Sequence, residues 1–169
     1  MIRRIRLGFV VLAAVVLQTT VFTHVRIDHV APDVGLVAVL AVAYEEGADR
    51  GAIFGFVTGL AIDLFLTTPL GLSALAYALT GYAVGAFQSG MARTMPGLAP
   101  LLGGLGGFFG GLVFISVGGV VGQSGFLTLD GLRIIAIAAL YDALIAPLVF
   151  PVARRAARVP DAANWRIRR

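Results

Sequence analysis

The sequence predicts an all-α integral membrane protein, a compact bundle of about six transmembrane helices. Three observations carry this expectation. Of the 169 residues, 59% are hydrophobic and only 13% are charged, whereas soluble proteins carry about 25% charged residues. That is too little charge to coat a globule, and the mean hydropathy is +0.94. Apolar runs close to the roughly 20 residues that cross a bilayer recur along the chain. Finally, the charges sit at the ends of those runs, as membrane topology requires.

The first span is placed at Leu7 to Thr23, behind the basic start Arg3, Arg4 and Arg6. The residues after the apolar run, Gln18 to His24, contain no small-x-small cleavage site, so the segment reads as a retained helix and not a signal peptide. A polar stretch from His24 to Asp33 follows. The second span, Pro32 to Tyr44, is short, and Glu45, Glu46, Asp49 and Arg50 close it. The third runs Gly51 to Leu66, the fourth Pro69 to Gln88, the fifth Leu98 to Val121, and the sixth Ile134 to Val152. The transmembrane domain is thus expected over residues 1–153 and a basic cytoplasmic tail over 154–169.

Charge orients the bundle. All 13 basic residues are arginine. With six spans, eleven of them fall on one side, and only Arg26 and Arg133 on the other. This positive-inside bias puts both termini in the cytoplasm. It also requires the short second segment to cross, because otherwise the arginine-rich tail would be exported. The formal charge of +4 forms no patch or stripe, so nucleic acid is not expected as a partner. The tail, with Arg154, Arg155, Arg158, Trp165, Arg166, Arg168 and Arg169, reads as a topology anchor touching anionic membrane lipid.

Helices associate in lipid through small residues. Gly51, Gly55 and Gly59 lie four apart on the third span, Gly81 and Gly85 on the fourth. The fifth holds Gly103, Gly104, Gly106, Gly107, Gly110, Gly111, Gly118 and Gly119. The first reading is tight packing within the chain. The sharper reading makes the glycine faces of the third and fifth spans, at Gly55, Gly59, Gly107 and Gly111, a docking surface for a partner's helix. Two acids, Asp63 and Asp142, interrupt apolar runs, and such residues face a bundle interior or a wet cavity. The simplest role for Asp63 is a hydrogen bond that pins the turn after the third span. For Asp142 it is a bond to a neighbouring helix. Proton handling is the alternative for both.

Several chemistries lack the residues they need. There is no cysteine, which excludes disulfides and thiolate chemistry. Gly122-Gln-Ser-Gly125 matches the G-x-S-G of rhomboid proteases, but no histidine follows to act as base. His24, Asp28, His29 and Asp33 could be drawn as a metal cluster, yet two histidines five apart in a polar loop are ordinarily solvated. No cofactor, metal or catalytic set is therefore assigned.

Pro32-Asp33, Tyr44, Gly51, the series Gly55, Gly59 and Asp63, then Pro69-Leu-Gly71 with Ala74-Leu75, and Gly81-Tyr82 with Gly85, resemble the rod shape-determining protein MreD family. Tyr141 to Pro151 is similar to that family's last helix, although Asp142 stands where the family favours asparagine. The resemblance implies a non-enzymatic partner of the cell-wall elongation machinery in the bacterial inner membrane. It implies MreC as partner, with the glycosyltransferase RodA, its penicillin-binding transpeptidase and the actin-like MreB. It also implies a fold similar to the S component of ECF vitamin transporters. The alternative function is therefore a vitamin-binding S component, for which Asp63, Thr67, Thr68 and Tyr77 are the available pocket residues. The structural or docking positions so singled out are Gly55, Gly59, Asp63, Pro69, Gly71, Gly107 and Gly111.

Overall fold

The computed structural model describes residues 2–21, 30–65, 69–87, 98–120, 122 and 128–157. Among these the chain is all-helical, with no strand. The helices are α1 (Ile2–Val16), continued by a π-helical stretch (Leu17–Val21), α2 (Val34–Glu46), α3 (Ala48–Asp63), α4 (Leu72–Phe87), α5 (Leu98–Val120) and α6 (Leu129–Ala157).

The second helix is the hub. Its run of Val, Leu and Ala is apolar on every side, and such a helix belongs in an interior. Every residue from Val34 to Tyr44 is buried. The other five helices pack around it. Its short length, 13 residues, is about 20 Å at 1.5 Å per residue.

The connection to α3 is a single residue, Gly47, whose φ of 91° lies in the left-handed region that glycine alone adopts without cost. α3 then folds back along α2, so Gly51 meets Ala43 and Ile62 reaches Gly35. α4 runs antiparallel to α3, and α5 antiparallel to both α2 and α6. α6 lies parallel to α2: Asp142 pairs with Asp33 and Arg154 with Glu45, the same offset of 109 residues twice. Odd and even helices therefore run in opposite directions, and the start of α1 and the end of α6 share one end of the bundle. Arg6, Arg50, Arg154 and Arg155 gather at that end; Arg133 opens α6 at the other.

The outer surface is apolar. Phe9, Leu12, Ile53, Phe56, Leu105, Leu140, Leu144 and Leu148 are all exposed. Hydroxyl groups inside the helices bond back to their own backbone, as Thr58 does to the Phe54 carbonyl and Thr80 to that of Ala76. Such bonds satisfy a polar group where water is absent.

Several boundaries differ from the sequence expectation. α5, and the 28 residues Asp130–Ala157 of α6, are long and apolar enough to cross a membrane; Ile5–Thr20 and Leu72–Phe87 are shorter apolar helices. α6 begins five residues before Ile134 and continues past Val152 to Ala157, so Arg154 and Arg155 are helical. Pro147 and Pro151 lie inside it. A proline frees a backbone carbonyl, which buried helices tolerate when neighbours supply partners.

Candidate functional site: a polar junction at the start of the central helix

Four polar side chains from four segments converge where α2 begins. Asp33 is the cap: one carboxylate oxygen accepts from the Leu36 N–H at 3.0 Å, satisfying a donor that the helix itself leaves open. Its other oxygen accepts from the Tyr77 hydroxyl on α4. The Asp33 N–H donates to Asp142 Oδ1 on α6 at 2.7 Å. On either side, Gln18 of the π-helical stretch clamps the backbone. Its Nε2 donates to the Pro32 carbonyl at 3.1 Å and its Oε1 accepts from the Val34 N–H at 3.0 Å. α1, α4 and α6 are thus tied to one turn of backbone by directional bonds. Glycine makes the room: a Cβ at Gly107 would sit 2.6 Å from Asp142 Oδ2, and one at Gly35 would press on the Tyr77 ring at 3.3 Å.

Asp63 forms a second, separate cradle. The last residue of α3, it is 2% exposed. Its Oδ2 accepts from the N–H groups of Gly71 at 2.8 Å and Ala74 at 3.2 Å, and its Oδ1 from Ser73 at 3.2 Å. A carboxylate is thus placed against the orphan N–H groups and positive end of α4. The turn itself is closed by Leu72 donating to the Pro69 carbonyl at 3.2 Å. Gly71 adopts φ +96° with open space around it, so it is there for its backbone conformation. The expected pinning of the turn is the observed geometry.

The remaining singled-out positions are packing seams. A Cβ at Gly55 would lie 2.7 Å from the Tyr77 carbonyl carbon, and one at Gly59 2.6 Å from Ala74 Cα. On α5, a Cβ at Gly111 would meet Ile135 Cγ2 of α6 at 2.7 Å. Gly107 faces Asp142. Of the two readings, packing within the chain occupies these faces. α4 covers the α3 glycines and α6 the α5 pair, so none offers an open groove to a partner's helix. Nor does the abundance of glycine on α5 need an outside partner, because α5 serves three neighbours, α2, α4 and α6. Gly106 and Gly110 admit Leu40 and Leu36 of α2, while Gly103, Gly107 and Gly111 meet α6.

The basic end is fastened by charge. Arg154 pairs with Glu45 and lies over the Tyr44 ring, 5.8 Å from its centroid. Arg50 pairs with Glu46 at 3.6 Å.

The sequence missed the junction as a unit. Asp33 was legible as a cap before an apolar run, and Gln18 and Tyr77 as polar residues in apolar helices. Nothing local says that they meet. Of the suggested pocket residues, Asp63 and Tyr77 are bonded within the chain, whereas Thr67 and Thr68 lie outside the described residues. So do His24, Asp28 and His29 of the rejected metal cluster, and Gln123 to Gly125 of the rejected protease motif. Among the described residues, no three His, Cys, Asp or Glu side chains group as metal ligands.

No curated protein matches the chain, and no solved structure does. The family model for the rod shape-determining protein MreD matches residues 2–102. The match spans α1 to the first turn of α5 and so includes Asp33, Gly55, Gly59, Asp63, Pro69, Gly71 and Tyr77. Gly107, Gly111 and Asp142 lie beyond it, as does the stretch from Tyr141 to Pro151. With more than half its length matched, and with the helical bundle and apolar surface of a membrane protein, the chain belongs to the MreD family of rod shape-determining proteins.

Proposed function

We propose that this protein is a non-enzymatic membrane scaffold of the bacterial cell-wall elongation machinery. It crosses the inner membrane six times, with both termini and the basic tail from residue 154 in the cytoplasm. Its partner is MreC, and through MreC the glycosyltransferase RodA and the penicillin-binding transpeptidase, with MreB on the cytoplasmic side. Family membership supplies the role in rod shape. The observation that carries the scaffold reading is that the buried Asp63, Asp142, Thr58 and Thr80 are each bonded within the chain. Asp63 and Asp142 join helices, and Thr58 and Thr80 are satisfied within their own, so the polar interior serves the fold and not a substrate, which leaves the outward faces for protein contacts. On α5 these present Leu101, Leu105 and Phe108.

A detergent pull-down of tagged protein from its native membrane tests this. Recovery of MreC with RodA or the transpeptidase is expected, and weaker recovery of MreC when Leu101 and Leu105 are changed to Ala. Recovery of an ATPase pair with a coupling membrane subunit would replace the scaffold with a vitamin-uptake component.

A further inference from the structure

The glycine at position 8 behaves unlike those of the helix seams. A Cβ there would meet nothing within 4 Å, whereas Gly55, Gly59, Gly103 and Gly107 would each collide with a neighbouring helix. A glycine inside a helix costs about 1 kcal/mol relative to alanine, and at Gly8 no contact within the chain offsets that cost. Gly8 lines a lateral groove of about 590 Å³ between α1 and α3, floored by Val42 of α2 and walled by Val11, Ile53 and Val57. The groove is apolar along its length and polar at one end only. There Arg50 pairs with Glu46, which is 7% exposed, while the Arg50 side chain remains 57% exposed.

We infer that this groove holds one acyl chain of an anionic phospholipid whose phosphate is bound at Arg50. Three features select that occupant. Arg50 to Val57 is seven residues, about 10 Å of helix rise, which fits within one leaflet of a hydrocarbon core about 30 Å thick. The polar end lies at the basic end of the bundle, where phospholipid headgroups of that leaflet stand. That end is also positive: Arg6, Arg50, Arg154 and Arg155 stand there against the acids Glu45, Glu46 and Asp49. The absent side chain at Gly8 then has a purpose, since a larger residue would fill the slot.

Native mass spectrometry of the full chain, delipidated in detergent and titrated with phosphatidylglycerol or phosphatidylcholine, tests the inference. One phosphatidylglycerol is expected to stay bound. Gly8→Leu, or Val57→Trp from the opposite wall, lowers its affinity by about tenfold through the lost apolar burial. Arg50→Gln reduces the preference for phosphatidylglycerol over phosphatidylcholine by about fivefold, the worth of one interfacial arginine. The melting temperature in detergent without added lipid stays at or rises above the wild-type value for Gly8→Leu, because the variant removes a helical glycine without a clash, which separates loss of the site from loss of the fold. Unchanged phosphatidylglycerol affinity in both groove-filling variants overturns the inference. So does a covalent dimer, or a cross-link to another protein's helix, formed through Gly8→Cys in native membranes, since the chain has no other cysteine.

Discussion

The α3–α4 and α5–α6 pairs use the same materials, glycine and one buried acid, to different ends. In α3–α4 the glycines of both helices face each other, and what each would strike is backbone: Gly51 against the Gly81 carbonyl, Gly85 against the Ala48 nitrogen. Its acid acts locally, since Asp63 binds N–H groups only eight to eleven residues on. Where α5 meets α6 the seam glycines, Gly103, Gly107 and Gly111, belong to α5, and other α5 glycines meet side chains elsewhere, Leu36 and Leu40 of α2 and Thr80 of α4. The acid of this pair acts at long range, as Asp142 reaches the start of α2, 109 residues away. The first pair is specified by its own sequence. The second is specified only once α2 is in place.

The largest expected effect tests the local acid. Asp63→Leu strands three N–H donors, and the two buried ones, of Ser73 and Ala74, each cost about 1–3 kcal/mol when unsatisfied. We expect it to abolish accumulation of folded protein, read as protein level and as resistance to unfolding in detergent. Asp63→Asn retains one oxygen of the two and should fall between wild type and Asp63→Leu. If Asp63→Asn accumulates and melts as wild type but fails in shape complementation, Asp63 serves a charge-dependent function beyond the cradle.

The next pair of variants contrasts the two kinds of seam. Gly59→Ala puts a methyl 2.6 Å from Ala74 Cα, where only movement of a whole helix relieves the clash. It should cost the upper part of the ~1–3 kcal/mol range for overpacking. Gly106→Ala meets first the methyl ends of the Leu40 side chain, at 2.7 Å, which can rotate, so we expect a loss of about 1 kcal/mol or less. Equal losses in a melting experiment would erase the distinction between backbone and side-chain seams.

What was legible in the sequence follows the same division. The turn after α3 could be read because Asp63, Pro69 and Gly71 are near neighbours whose chemistry is complete among themselves. The glycine spacing foretold close packing, but not that α4 and α6 would occupy those faces. That choice depends on which helices become adjacent. The junction was illegible for the same reason: Gln18, Asp33, Tyr77 and Asp142 are each unremarkable alone, and their convergence is set by the packing of whole helices. Helix ends were misread where apolarity and helicity part. Arg154 and Arg155 are charged yet helical, because Glu45 and the Tyr44 ring receive Arg154.

Within the junction, Gln18→Leu should have an intermediate effect. It keeps the bulk but removes both clamps on α2, leaving the Val34 N–H and the Pro32 carbonyl without their partner. One unsatisfied buried group costs about 1–3 kcal/mol, so a lowered melting temperature is expected without loss of the bundle. A variant that melts as wild type would show that the backbone before α2 holds itself.

The smallest effect is expected at Asp142→Asn, and it separates bonding from charge. Asp142 Oδ1 accepts one N–H, that of Asp33, and an asparagine carbonyl can accept it equally well. A negative charge near the start of α2 gains about 0.3–1 kcal/mol from the helix dipole. Against this, Asp142 is 2% exposed, and a buried charge carries a desolvation cost of its own. The two terms oppose each other, so Asp142→Asn should change the melting temperature little and leave rod shape intact in complementation. Asp142→Leu removes the acceptor and should cost about 1–3 kcal/mol. If the asparagine variant folds as wild type yet fails to restore shape, the acid serves as an ionisable group and not as a tie, and the junction becomes the place to look for proton handling. If both variants restore shape, the link from α6 to α2 is held by Arg154 and Glu45 together with the apolar packing between the helices.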